Sequence, residues 1–299
     1  MDQILPFICL LLIGQVCRHI PVFPEQTDRS LNLYVIYIAL PALILQRVPG
    51  LHFSLAVLAP VLFPWLTVVS GCLLVMLLAR LLHWDRETTG ALLLMVPLGN
   101  TSFFGIPMVE LYFGAKAVKF AVLYDQFGSF LALSTYGAAV LAMYGQEKGR
   151  SVVAVIRNIL LFPPFLALVI ALFAGSSHYP AWLEHVLTLA SGSLVPVVFV
   201  AIGFQMDMFL DRQEIIPLGA GLLLRLLIIP LMFLAGMRLF SLHALPARVA
   251  LFETAMPPMV AAGALASIAG LKPRLCSGLV GFGILASFTS LPLIFRLSC

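Results

Sequence analysis

Charge is what this chain has least of. Only 10% of its 299 residues are Asp, Glu, Lys or Arg, against about 25% in a soluble globular domain. That is too little to solvate a folded surface, and no polar stretch is long enough to form a separate water-soluble domain. Paired cysteines are also missing. Cys9, Cys17, Cys72, Cys276 and Cys299 are odd in number and scattered through apolar runs, which argues against a disulfide framework and against zinc-ligand spacing. The histidines His19, His52, His83, His178, His185 and His243 stand singly in connecting segments, a poor basis for a metal site. H-E-x-x-H, paired membrane aspartates with G-x-G-D, and aspartate-rich prenyl motifs are absent, so no intramembrane enzyme and no resident cofactor is expected. The first apolar window, Ile4 to Val16, lacks a basic leader and an A-x-A site, and is expected to stay as a helix rather than be cleaved.

What the chain has instead is hydrophobic length, at 62% apolar residues. A bilayer core about 30 Å thick takes roughly 20 apolar residues per helix. Ten windows of that kind are expected near 3–17, 30–47, 56–82, 88–113, 115–145, 152–174, 182–206, 215–240, 248–270 and 274–296. The fold class is therefore an all-α integral membrane protein with ten transmembrane helices. Lysine and arginine sort unevenly between the two sets of loops. Arg18, Arg29, Arg80, Arg86, Lys148, Arg150, Arg157, Arg212, Lys272 and Arg274 fall on one side. Arg47, Lys116, Lys119, Arg238, Arg248 and Arg296 fall on the other. The richer side is expected to be cytoplasmic, which puts both termini outside. The net charge of +4 follows from this asymmetry and gives no reason to invoke nucleic acid.

A faint repeat divides the chain at the polar linker "GQEKGR", Gly145 to Arg150. Pro41 matches Pro196 at a shift of 155 residues, and Pro97 matches Pro257 at a shift of 160. Each part, 1–145 and 151–299, carries five helices, and an odd number places the second part upside down in the membrane. Inverted repeats with paired interruptions point to a secondary transporter. The interruptions themselves are "VPLGNTSFFGIPM", Val96 to Met108, in the fourth window and "ETAMPPMVA" in the ninth. Pro97, Pro107, Pro257 and Pro258 cannot donate to the carbonyls of Leu93, Phe103, Glu253 and Thr254. Counted from Thr88, Asn100 lies about 18 Å deep; counted from Arg248, Pro257 lies about 13 Å deep. Two oppositely directed breaks can thus cross near the midplane.

Each second half-helix starts at the crossing with free N–H groups that attract an anion such as a carboxylate. Asn100, Thr101 or Ser102 is placed to cap the half that begins near Phe103, and Pro258 suits the first position of the other. The candidate substrate contacts are Pro97, Gly99, Asn100, Thr101, Ser102, Pro257, Pro258 and Met259. Three ionisable residues lie in apolar runs, where a charge costs at least about 2.5–3.5 kcal/mol. Asp125 shares a helix face with Ser129, Ala132 and Tyr136; Gln126 lies beside it. Asp125 is read as a coupling or substrate-binding residue, or as a structural partner of Arg225 or of the broken-helix backbone. Arg225 meets either a substrate carboxylate or a partner in a structural ion pair. Glu253, about a turn from the outer surface, couples, caps or anchors. The coupling and gating set is then Asp125, Gln126, Ser129, Glu253 and Arg225.

The stretches "LNLYVIYIALPALIL", "PLGNTSFFGIPMVELYFG", "YDQFG", "ETAMPPMVAAGALASIAG" and "TSLPL" resemble a bacterial member of the auxin efflux carrier family, which includes the plant PIN-formed exporters and malate-permease-like proteins. The resemblance runs over almost the whole chain. It implies two inverted five-helix repeats with broken crossover helices 4 and 9. It also implies a scaffold of helices 1, 2, 6 and 7 and a transport domain of helices 3–5 and 8–10. A homodimer and an elevator-type movement follow from the same likeness, with both termini outside. The family's crossover asparagine matches Asn100, and its crossover prolines match Pro97 and Pro257. The long regulatory loop of plant members is reduced here to 145–150. The expected function is secondary transport of a small organic anion, auxin-like or a dicarboxylate, across a bacterial inner membrane, with H+ or Na+ as the coupling ion. The alternatives are an ion-coupled symporter of a larger amphipathic anion, and a channel or transporter-like sensor.

Overall fold

A computed structural model describes residues 5–49, 57–145, 160–174, 179–206 and 212–298, together with positions 153 and 157. The polar linker at 146–150 lies outside them. The described residues are helical apart from turns, loops and the interruptions, and their one pairing of extended backbone is a single antiparallel bridge between Gly99 and Pro258.

We number the helices α1 Leu5–Arg18, α2 Thr27–Arg47, α3 Leu58–Leu81, α4 Arg86–Met95, α5 Ile106–Phe113, α6 Ala115–Tyr144, α7 Pro163–Ala174, α8 Ala181–Gln205, α9 Arg212–Leu239, α10 Leu245–Thr254, α11 Val260–Ile268 and α12 Pro273–Ser298. Six of these, α2, α3, α6, α8, α9 and α12, are long and apolar enough to cross a membrane. The fourth and ninth windows each divide into two short helices, α4 with α5 and α10 with α11, around an interruption.

The faces of α3 show which solvent the fold answers to. Leu58, Leu62, Leu66, Val69, Leu73 and Leu77 recur at helical spacing and lie exposed, while Phe63, Pro64, Thr67, Val68, Gly71 and Val75 on the opposite face are buried. Both stripes are apolar. In water only the buried one would be; against lipid tails an apolar outer stripe is the favourable one.

Small residues then set how closely the helices approach, as is usual where lipid removes the hydrophobic drive between them. A Cβ on Gly14 of α1 would sit 2.1 Å from the Val200 carbonyl oxygen of α8, and one on Gly203 of α8 would sit 2.0 Å from the Leu11 oxygen. Packing falls into two groups. α1 and α2 pack on α8, and α2 packs on α7. The remaining helices pack among themselves: α3 on α4, α6 and α10; α11 on α4 and α12; α9 on α10 and α12. The groups meet where α2 and α7 touch α6 and where α8 touches residues 101–105. There Phe104 lies 5.5 Å from Phe199 of α8 and 5.7 Å from Phe288 of α12, centroid to centroid. Arg47 of α2 also reaches across to Glu110 of α5 in an ion pair of 2.9 Å.

Candidate functional site

The interruption in the fourth window starts with a proline. Pro97 leaves the Leu93 carbonyl without its helical donor, and the Tyr136 hydroxyl of α6 donates to that oxygen instead, at 2.7 Å. Backbone freed from the helix must find partners inside the protein, and here the two interruptions supply each other. The Asn100 N–H donates to the Pro257 oxygen at 2.8 Å, and the Met259 N–H donates to the Leu98 oxygen at 3.0 Å. These two bonds close the Gly99–Pro258 bridge. The breaks in two windows 160 residues apart are thus one structure.

Arg225 completes it. The α9 helix widens into a π-helical turn at Leu224–Ile228, and Arg225 lies there fully buried. Its Nε donates to the Met256 oxygen at 2.7 Å; its Nη1 donates to the Val96 and Pro97 oxygens at 3.2 and 3.1 Å. The guanidinium therefore caps the C-terminal ends of both first halves, α4 and α10, where the helix dipoles are negative. Gly99 admits this group: a Cβ there would lie 1.7 Å from Arg225 Nη2. Of the sequence alternatives for Arg225, its described contacts are with backbone carbonyls.

The chain resumes as a π-helical turn, Thr101–Gly105, and continues as α5. Sequence reasoning placed this start near Phe103 with an Asn, Thr or Ser cap. The observed N-cap position is Asn100, and it makes no side-chain cap bond. Thr101 and Ser102 turn instead to α6. Their hydroxyls donate to Asp125 Oδ1 at 2.6 and 2.5 Å, and Gln126 Nε2 donates to Asp125 Oδ2 at 2.7 Å. Asp125 too begins a π-helical turn, Asp125–Ser129, followed by a second at Leu133–Gly137. Each turn holds one residue more than an α-helix has room for, and neighbouring Asp125 and Gln126 are both buried. In the ninth window, Pro258 lies in the bridge rather than in the helix; Met259 is the N-cap position and α11 starts at Val260.

Glu253 is completely buried in the last turn of α10. Its carboxylate lies against Gly105, where a Cβ would be 2.3 Å from Oε2. Neither oxygen has a hydrogen-bond partner, and the same holds for Asn100 Nδ2 and Gln126 Oε1. Glu253 and Asn100 thus carry unmatched polar atoms beside the interruptions, and Gln126 carries one next to Asp125. Ser129 is buried one turn along α6 from Asp125. A separate cavity of about 180 Å³ opens between the end of α8 and the pair α11 and α12, lined by Gln205, Met206, Val260, Ser267 and Cys276 among others. Val260 is the first residue of α11, so the cavity reaches the start of that half-helix. Among the described residues no group of three or more His, Cys, Asp or Glu could hold a metal ion.

Broken, mutually bridged apolar helices around a buried polar junction are the architecture of a transport protein. The family model described as membrane transport protein matches residues 1–295, and the chain belongs to that family, the one that includes the auxin efflux carriers. It is 26% identical over 296 residues to an uncharacterized transporter of Methanothermobacter thermautotrophicus, covering 98% of this chain and 96% of that one. It is likewise 26% identical over 267 residues to an uncharacterized transporter of Methanocaldococcus jannaschii, covering 86% and 85%. The protein is a multi-pass membrane transporter.

Proposed function

We propose that the protein is a secondary transporter of a small organic anion, and that the anion's carboxylate binds where the two interruptions meet. The observation that carries this reading is the Gly99–Pro258 bridge with Asn100 beside it. The bridge turns the first turns of both second halves into the crossing, with their free N–H groups. Arg225 neutralises the negative ends of both first halves, so the field left over favours an anion. Asn100 Nδ2 is a buried donor without a partner, and such a group has a bond to offer. Thr101, Ser102 and Gln126 are held in place by Asp125, which positions the turn behind Asn100. Pro97, Gly99, Pro257, Pro258 and Met259 form the frame.

The wider architecture belongs to the same proposal: ten membrane passes in two inverted halves, a scaffold of α1, α2, α7 and α8, and a transport domain of the other helices. The packing in two groups supports a shift of one group past the other in an elevator-type cycle. A homodimer, an inner-membrane location and external termini follow from the family likeness and the loop charges.

A thermal-shift screen of the purified protein against mono- and dicarboxylates, each with and without sodium, tests the reading. Ligand at 100 times its Kd stabilises a native state by about 2.7 kcal/mol. One carboxylate class is expected to raise the melting temperature in proportion to log concentration. A flat response to every carboxylate would count against the site.

A further inference from the structure

We propose that Glu253 is the proton-binding group of the transport cycle, taking up and releasing a proton in step with the anion. The inference rests on the carrier reading above.

The charges at the crossing do not balance. Arg225 spends its guanidinium on three carbonyls. Asp125 receives three donors on its two oxygens. Glu253 receives none and is fully buried. It sits in the last turn of α10. A buried, unpaired carboxylate is among the costliest groups a protein can hold, and binding a cation relieves it. The space chooses the cation. Gly105 packs so close to the carboxyl that a Cβ there would lie 2.3 and 2.9 Å from its two oxygens. A hard metal ion collects about six oxygens around itself, whereas a proton needs none beyond the carboxyl.

The ionisable groups whose fields reach Glu253 are Asp125 and Tyr124 on α6 and Arg225 on α9. α3, α5 and α12 also pack against α10, and they add no further charged group to that set. Ionised, Glu253 joins Asp125 as a second negative charge and repels an incoming anion. Protonated, it removes that second charge while Asp125 stays held by its three donors, and the anion site is open. Proton and anion then favour each other's binding by the same factor, as linkage requires.

Infrared spectroscopy of the whole protein tests this without a known substrate. At neutral pH the wild-type protein should show a protonated-carboxyl stretch that downshifts when its glutamates are labelled with carbon-13. The band should vanish in Glu253→Gln and persist in Asp125→Asn. Because labelling requires no substitution, a poorly folding variant leaves the test standing. A band that ignores glutamate labelling, or is lost when sodium replaces choline, would overturn the proposal. Net uptake of labelled malate into proteoliposomes holding a pH-sensitive dye separates the two claims. Uptake that persists in Glu253→Gln but no longer moves protons supports the proton role, and uptake with unchanged proton movement contradicts it. Should wild-type protein hold the band yet take up no carboxylate, the carrier reading fails while the proton site stands.

Discussion

Gly99 is the residue on which the crossing is most finely adjusted. Its lack of a side chain lets Arg225 reach carbonyls of both first half-helices. The guanidinium is fixed by three bonds and cannot swing aside, so Gly99→Ala forces it off at least one of them. Overpacking of this kind costs about 1–3 kcal/mol, and more where a buried charge loses partners. A clear fall in melting temperature is expected. Gly236→Ala is the control: nothing lies within 4 Å of a Cβ there, and alanine is the better helix former, so that variant should melt no lower than wild type. Arg225 and Asp125 also mark what single residues could disclose beforehand. That both are buried followed from their apolar surroundings. Their partners did not, because Arg225 bonds to carbonyls at 96, 97 and 256, and no local pattern encodes a contact across so many residues.

At the scale of elements, the short helices around the breaks begin and end by ordinary rules. α4 starts at Asp85, whose side chain accepts from the Thr88 N–H at 2.6 Å, an N-cap of the expected kind. Lys272, in the turn between α11 and α12, reaches the same carboxylate at 3.1 Å and so ties the starts of α4 and α12 together. Partial burial works to raise Asp85, but the Thr88 and Lys272 contacts outweigh it and hold the carboxyl below its ordinary 3.8. The bond to Asp85 raises Lys272 above its ordinary 10.5. A lowered acid contributes stability above its ordinary value and loses it as pH falls. A raised base contributes below its own and loses it as pH rises. Lys272→Ala should therefore lower stability at pH 7, by about 0.2–1 kcal/mol for so exposed a pair. Melting curves of the two proteins should converge as pH falls below 3.8 and Asp85 is protonated, and in high salt. The interruptions at Pro97 and Pro257 were legible from sequence because proline removes a donor that no helix interior can spare. The π-helical turns at 101–105, 125–129 and 224–228 were not, since each is a one-residue register shift imposed by the contact it makes. That Glu253 is buried against Gly105 was likewise not legible, because position along one helix says nothing of what packs against it.

For the whole molecule, apolar composition dictated a membrane fold, and the apolar outer face of α3 bears that out. The same composition hides the arrangement of the helices. When both the lipid-facing and protein-facing stripes are hydrophobic, periodicity no longer tells inside from outside, and glycine contacts such as Gly14 with Val200 decide the packing. The family and the transporter class follow from the match along residues 1–295. The carrier site at the paired interruptions is the central claim, and Asn100 is its most exposed point. Counterflow exchange in proteoliposomes, using the carboxylate that most stabilises the purified protein, measures it directly. Wild-type protein should exchange labelled for unlabelled substrate with saturation, while Asn100→Ala, folded and reconstituted at the same density, should lose at least about tenfold in rate, the equivalent of about 1.4 kcal/mol. Asn100→Ala exchanging at the wild-type rate would show that the anion does not cross at this site.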